Sequence, residues 1–249
     1  DALKDLAAAA ELGNDPAIIA ASALAASLAA EKTVGSSRPA EEYVRSMANR
    51  LSEIAETRGE NAAEAVEYLG CIQYHLFKDL AGARRTLQQA LSLQSARYRS
   101  WEMLTVAAAF EGPEEFIQTA QARVEAMPTP RSSVLLVKSY DMQGDQLRAE
   151  WSALNAAASY PNDIMVNLCL AAVLLKDQEA ENFLWRVGEA LGKAEKALGS
   201  TRSYQTRVDF LLLKSIYLGL SDQPEQARAL LKDAKFTSPE FQEILRALE

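Results

Sequence analysis

The chain has 249 residues, a formal net charge of −8 and a pI near 5.0. Hydrophobic residues make up 49% and charged residues 24%, the balance of a folded soluble domain rather than a disordered or fibrous chain. The acidic excess, with no basic run beyond pairs such as Arg84 and Arg85, argues against a nucleic-acid binder, because phosphate contacts need clustered Lys and Arg.

No stretch shows sustained period-two alternation, and helical periodicity runs throughout. In chain order the pattern predicts about fourteen helices, at roughly 2–12, 16–32, 40–58, 61–77, 80–93, 97–110, 113–126, 131–142, 146–159, 163–176, 178–198, 202–219, 224–234 and 239–248. Asp15-Pro16 reads as an N-cap with proline in the first turn, and Thr33 to Pro39 as the clearest longer loop. Tyr43, Val44, Met47, Leu51 and Ile54 form an apolar stripe on one helix face. Gly112-Pro113 is a stop followed by a start, and Pro161-Asn162-Asp163 breaks one helix and caps the next. Ser238-Pro239 opens the last helix, whose apolar face is Phe241, Ile244, Leu245 and Leu248. The longest apolar stretch, Pro16 to Ala30, is shorter than the roughly 20 residues a spanning helix needs. The start at Asp1 fits either a processed protein or an excised fragment, and a cytoplasmic as well as a signal-cleaved periplasmic or secreted chain.

Short connections make successive helices antiparallel neighbours, which leaves a series of bundles or a stack of hairpins. Self-similarity decides between them. Ala83, Leu87, Ala90, Leu91 recurs as Ala149, Ala153, Ala156, Ala157, and again as Ala227, Leu231, Ala234, Lys235. The clearest unit runs from Pro130 to Pro161. Leu136 and Tyr140 lie in its first helix, Gly144-Asp145 in the turn, and Ala149, Ala153 and Ala156 in the second helix, which Pro161 ends. These positions resemble the tetratricopeptide repeat, whose period is about 34 residues.

That resemblance covers about residues 61–239, as five repeats. It implies an all-α, right-handed superhelical solenoid of antiparallel helical hairpins, with residues 1–60 an N-terminal cap or degenerate repeats and residues 239–249 a C-terminal capping helix. Between Tyr98 and Thr129 the match weakens, because Ile117 sits where a small residue is usual. The repeat opening near Ile164 is expected to have a longer second helix. Tyr140 is expected to fill the space between paired helices, and Gly144 to adopt a left-handed turn.

The resemblance also implies a scaffold or adaptor that holds a protein or peptide against the first helices of its repeats. A self-assembling structural module is the alternative, and a helical-repeat enzyme a remote one. By register, Tyr68, Ile72 and His75 face the groove in one repeat, Arg99, Glu102 and Val106 in the next, and Arg131, Val134, Lys138 and Asp141 in the third. Arg99 and Arg131 are one repeat apart and suit an acidic segment at one rim. Family members that clamp chaperone tails carry Lys, Asn and Arg where this chain has Leu69, Met103, Leu135 and Cys169. The apolar groove therefore favours an amphipathic helix over such a tail.

No catalytic residue, cofactor or metal is expected. The chain has no phosphate-cradling glycine loop, no nucleophile elbow and a single histidine. Cys71 and Cys169 are expected to be buried thiols. Trp101 is expected in the core. Trp151 and Trp185, on second helices, are expected to pack between repeats, with an outward-facing anchor as the alternative.

Overall fold

The structure, a computed structural model, describes residues 2–31, 37–178, 182–199, 201 and 203–233. Thirteen helices and no strands occur among these residues. They are α1 Ala2–Leu12, α2 Pro16–Glu31, α3 Ser37–Glu56, α4 Ala62–His75, α5 Leu80–Leu93, α6 Tyr98–Glu111, α7 Pro113–Ala126, α8 Pro130–Gln143, α9 Gln146–Ser159, α10 Ile164–Leu174, α11 Phe183–Leu198, α12 Tyr204–Leu220 and α13 Pro224–Asp233. The predicted helix 239–248 lies outside the described residues.

Local chemistry sets the boundaries. Asp15, Asp79, Asp145 and Asp163 each accept a backbone N–H in the first turn of the helix that follows, and Thr129 and Ser203 do so through their hydroxyls. Gly144 closes α8 at φ 79°, ψ 12°, the left-handed conformation that glycine adopts without steric cost. Helices α5, α7 and α9 begin at residues 80, 113 and 146, so their starts are 33 residues apart. Two boundaries differ from the sequence reading. Helix α3 begins at Ser37 rather than 40, because a proline at its third position costs no hydrogen bond in the first turn. Helix α11 begins at Phe183 rather than 178. The wide spacing of the last repeats lies partly in the connection after α10 and partly in α11 and α12, which run 16 and 17 residues against 14 for each helix from α4 to α9.

Packing divides the chain into two compact units, Asp1–Gly112 and Pro113–Glu249. In the first, α2 packs on α3 and α4, and α4 on α5. Its core joins Ile19 and Ala23 of α2 to Val44, Met47 and Leu51 of α3, and to Ala65 and Ile72 of α4. Gly70 lies against Leu87 of α5, where an added Cβ would sit 2.7 Å from the leucine side chain. In the second unit, α10 contacts α8, α9, α11 and α12. Packed against four helices, it is apolar around most of its circumference, with Met165, Cys169 and Ala172 left half-buried. Leu168, Leu170, Ala171, Val173 and Leu174 interleave with Tyr140, Ala149, Ala153, Val187, Leu191 and Phe210. Tyr140 is buried between α8 and α9 and accepts a hydrogen bond from Gln121 at 2.8 Å. Ile117 fills the same core, so the large residue at a usually small position is accommodated by packing.

Candidate interaction grooves

Each unit carries a shallow groove lined by first helices. In the first unit α2 supplies Ala17, Ala20, Ala21 and Leu24, spaced as one helix face. Across from them α4 supplies Tyr68, Cys71, Ile72, His75 and Leu76, and α6 contributes Arg99. The cavity measures about 320 Å³. The structure thus brings Tyr68, Ile72, His75 and Arg99 to one site, while Glu102 is not among the lining residues. Ile72 is buried at the floor and His75 is exposed at the margin, edge-on to Tyr74 with ring centroids 4.9 Å apart.

Arg99 is held in place. Its guanidinium lies 4.9 Å from the centroid of the Tyr68 ring and donates to the Tyr68 hydroxyl. That hydrogen bond, followed by a smaller opposing effect of burial, leaves Arg99 more basic than usual. The cation and its aromatic support form one unit at the groove margin.

The groove of the second unit is larger, about 440 Å³. Helix α8 contributes Val134 and Lys138, α10 contributes Met165, Leu168, Cys169 and Ala172, and α12 contributes Asp209, Leu212, Leu213 and Ile216. Of the four candidate residues in this unit, Val134 and Lys138 line the groove, whereas Arg131 and Asp141 do not. Asp141 is bridged to Lys176 at 2.6 Å, which ties α8 to the end of α10. Arg131 is exposed in the first turn of α8. Arg99 and Arg131 therefore belong to different units.

The cysteines are half-buried at the groove walls rather than sealed in the core. Burial pushes both thiols up to about 11. The Cys71 sulfur lies 3.1 Å from the Met103 sulfur. Trp101 is buried as expected, and its ring N–H donates to the Ser95 carbonyl at 2.7 Å. Trp151 and Trp185 are not packed between repeats. They are 69% and 68% exposed, because the neighbouring helices meet on other faces of α9 and α11.

A polar contact that the sequence did not single out joins α4 to α6. Glu67 is buried, and its carboxylate accepts from Arg97 at 3.0 Å, from the Ser100 backbone N–H at 3.0 Å and from the Ser100 hydroxyl at 2.8 Å. Burial would raise its pKa, but the donors and the Arg97 charge outweigh that effect and hold the carboxyl below its usual range. The available signal was the spacing, since Arg97 and Ser100 follow Glu67 at about one repeat. Among the described residues no group of three or more His, Cys, Asp or Glu is placed to hold a metal ion, and no helix is long and apolar enough to cross a membrane.

No family model matches the sequence, and no curated protein matches it either. In structure the chain is similar to PilF of Pseudomonas aeruginosa, with a TM-score of 0.59, 15% identity, and coverage of 99% of this chain and 100% of that one. It is similar also to the C-terminal part of a TPR repeat-containing protein from Cytophaga hutchinsonii, with a TM-score of 0.61, 16% identity, and coverage of 98% and 93%. The hairpin series, its period and these likenesses define an all-α helical-repeat protein. Its fold is that of the tetratricopeptide repeat.

Proposed function

We propose that the chain is a protein-interaction scaffold, not an enzyme, and that it takes a helix or peptide of another protein into the grooves of its first helices. The observation that carries this reading is the groove of the second unit. Three successive first helices leave Leu212, Leu213, Ile216 and Met165 accessible beside the charged Lys138 and Asp209. An apolar floor with a few charges at its margin suits the apolar face of an amphipathic helix, whose backbone is already satisfied internally. In the first unit, Tyr68, Ile72, His75 and Arg99 serve the same role, with the Arg99–Tyr68 pair presenting a fixed cation to an acidic residue of the partner. Arg131 offers a second cation at the start of α8, and Glu102 and Asp141 adjust the charge beside the grooves.

The test is co-purification from a native lysate with wild type, a Leu212→Asp/Ile216→Asp variant and an Arg99→Glu variant, each checked for retained helicity. Loss of one and the same partner from a still-helical groove variant supports groove binding. A partner retained equally by all three overturns it.

A further inference from the structure

The grooves use first helices. Leu147 and Trp151, the two most exposed large apolar side chains of the second unit among the described residues, lie instead on a second helix. On α9, Leu147 is 83% exposed, and Trp151 and Leu154 follow it at steps of four and three along the same face. On α11, Trp185 is exposed as fully as Trp151.

An ion pair relates the two indoles. Arg186 donates to Glu150 at 2.5 Å, so these two residues mark the sides on which α9 and α11 face each other. Two chain reversals separate α9 from α11, so both run in the same direction. Trp151 is one residue after Glu150, and Trp185 one residue before Arg186. A step of 100° in opposite senses on two parallel helices turns both indoles to the same outer side.

Among the described residues, acidic and basic side chains on α9 and α11 pair with one another. Asp145 pairs with Arg148 at 2.9 Å, Glu150 with Arg186, and Glu189 with Lys193 at 2.8 Å. On a chain of net charge −8, an apolar face bordered by paired charges is where two copies approach with least repulsion. The same −8 opposes an anionic membrane or a nucleic acid. The exposed parts of the two tryptophans and two leucines sum to roughly 500–600 Å² of apolar surface, near the roughly 600 Å² per partner of the smallest stable interfaces. Beside Trp151 lies a recess of about 280 Å³ walled by Val124, Pro128, Leu136 and Tyr160, open to one large apolar side chain.

We propose that the Trp151–Trp185 face of the second unit is the contact surface between two copies of this chain. A two-fold axis between α9 and α11 sets Trp151 of one copy against Trp185 of the other, and the reverse contact forms by the same operation. The partner is a second identical chain, and the contact is reversible because its area is at the lower limit.

Sedimentation equilibrium of the full chain over a concentration series tests this. The expected result is a doubling of mass with rising concentration, with loss of the dimer in Trp151→Ala/Trp185→Ala. Added salt strengthens association, because it screens the repulsion between two −8 chains while the apolar contact has no ion pairs to lose. In parallel, a blue shift of wild-type tryptophan emission on concentration reports burial of the two indoles without any substitution. A wild-type chain that stays at single mass with unshifted emission overturns the proposal, as does a dimer that the double variant retains.

Discussion

Glu67 on α4 and Ser100 on α6 are joined by two hydrogen bonds, one from the Ser100 backbone N–H and one from its hydroxyl, at 3.0 and 2.8 Å. Arg97, the residue that precedes α6, makes no cap of its own. A carboxylate from the preceding hairpin thus serves one orphan N–H of the next helix, that of Ser100, where the helix dipole also favours negative charge. Repeat stacking in the first unit is a capping interaction as well as an apolar one.

Glu67→Gln is expected to destabilise the first unit by about 2–3 kcal/mol, since Arg97 is left partly buried without its counter-charge. Trp101 is the single tryptophan of that unit, so urea unfolding followed in a Trp151→Phe/Trp185→Phe background reads this unit alone. The pH dependence has a definite sign. The folded carboxyl lies below the ordinary glutamate value of 4.5, so between the folded and unfolded values the unfolded chain binds more protons. The contribution is complete above the unfolded pKa and is lost as pH falls through the folded one. The gap between wild type and Glu67→Gln is therefore constant near neutrality and narrows below pH 4.5. A gap that does not narrow in acid contradicts this account.

Arg50 of α3 clamps the end of α1. Its guanidinium donates to the Ala10 carbonyl and, at 2.6 Å, to the Gly13 carbonyl, two of the acceptors a helix C-terminus leaves unpaired. Arg50→Ala is expected to lower the opening free energy of α1 by about 1–2 kcal/mol, which speeds exchange of its amide hydrogens about tenfold. Amides of α4 and α5 serve as the internal control, and equal acceleration there would mean that the substitution loosens the whole unit.

Two glycines separate backbone cost from packing cost. At Gly144 an added Cβ meets nothing within 4 Å, but φ is +79°. Gly144→Ala is expected to cost about 1–2 kcal/mol, and Gly144→Asn less, because asparagine tolerates the left-handed region. At Gly70, a helical position, the added Cβ meets the Leu87 side chain at 2.7 Å. Gly70→Ala gains about 1 kcal/mol of helix propensity and loses about 1–3 kcal/mol to overpacking, so its net effect is small or destabilising. Equilibrium unfolding of the variants checks the order, and a neutral Gly144→Ala would remove the strain argument.

Much of the architecture was legible in the sequence because its signals are local. Asp15, Asp79, Asp145 and Asp163 stand immediately before the helices they cap, and the predicted spans of α5, α7 and α9 coincide with the observed ones. The contributions that escaped are relational. Trp151 and Trp185 have correct helical spacing, but spacing does not say which face a neighbour covers. Glu67 reads as any helical acid until Arg97 and Ser100 are brought beside it. The Ala17, Ala20, Ala21, Leu24 face of α2 was readable at steps of three and four, yet its role as a groove wall depends on α4 lying opposite.

The two thiols give a direct readout of groove occupancy. Cys71 and Cys169 line separate grooves, one in each unit, and burial pushes both thiols up from the ordinary value of 9.0 to about 11. The thiolate is the reacting form, so a thiol raised from 9.0 to about 11 has about a hundredfold less of it at pH 8 than an open thiol would have. Alkylation by iodoacetamide is expected to be about that much slower in the folded chain than in urea at the same pH, and to accelerate as pH rises toward 11. Mass spectrometry of each tryptic peptide resolves the two sites. A partner seated in the groove of the second unit slows modification of Cys169 further while leaving Cys71 at its free rate. Equal protection of both would mean either two occupied grooves or a general tightening of the fold. The Leu212→Asp/Ile216→Asp variant separates these outcomes, because it removes only the protection that contact in the second groove provides.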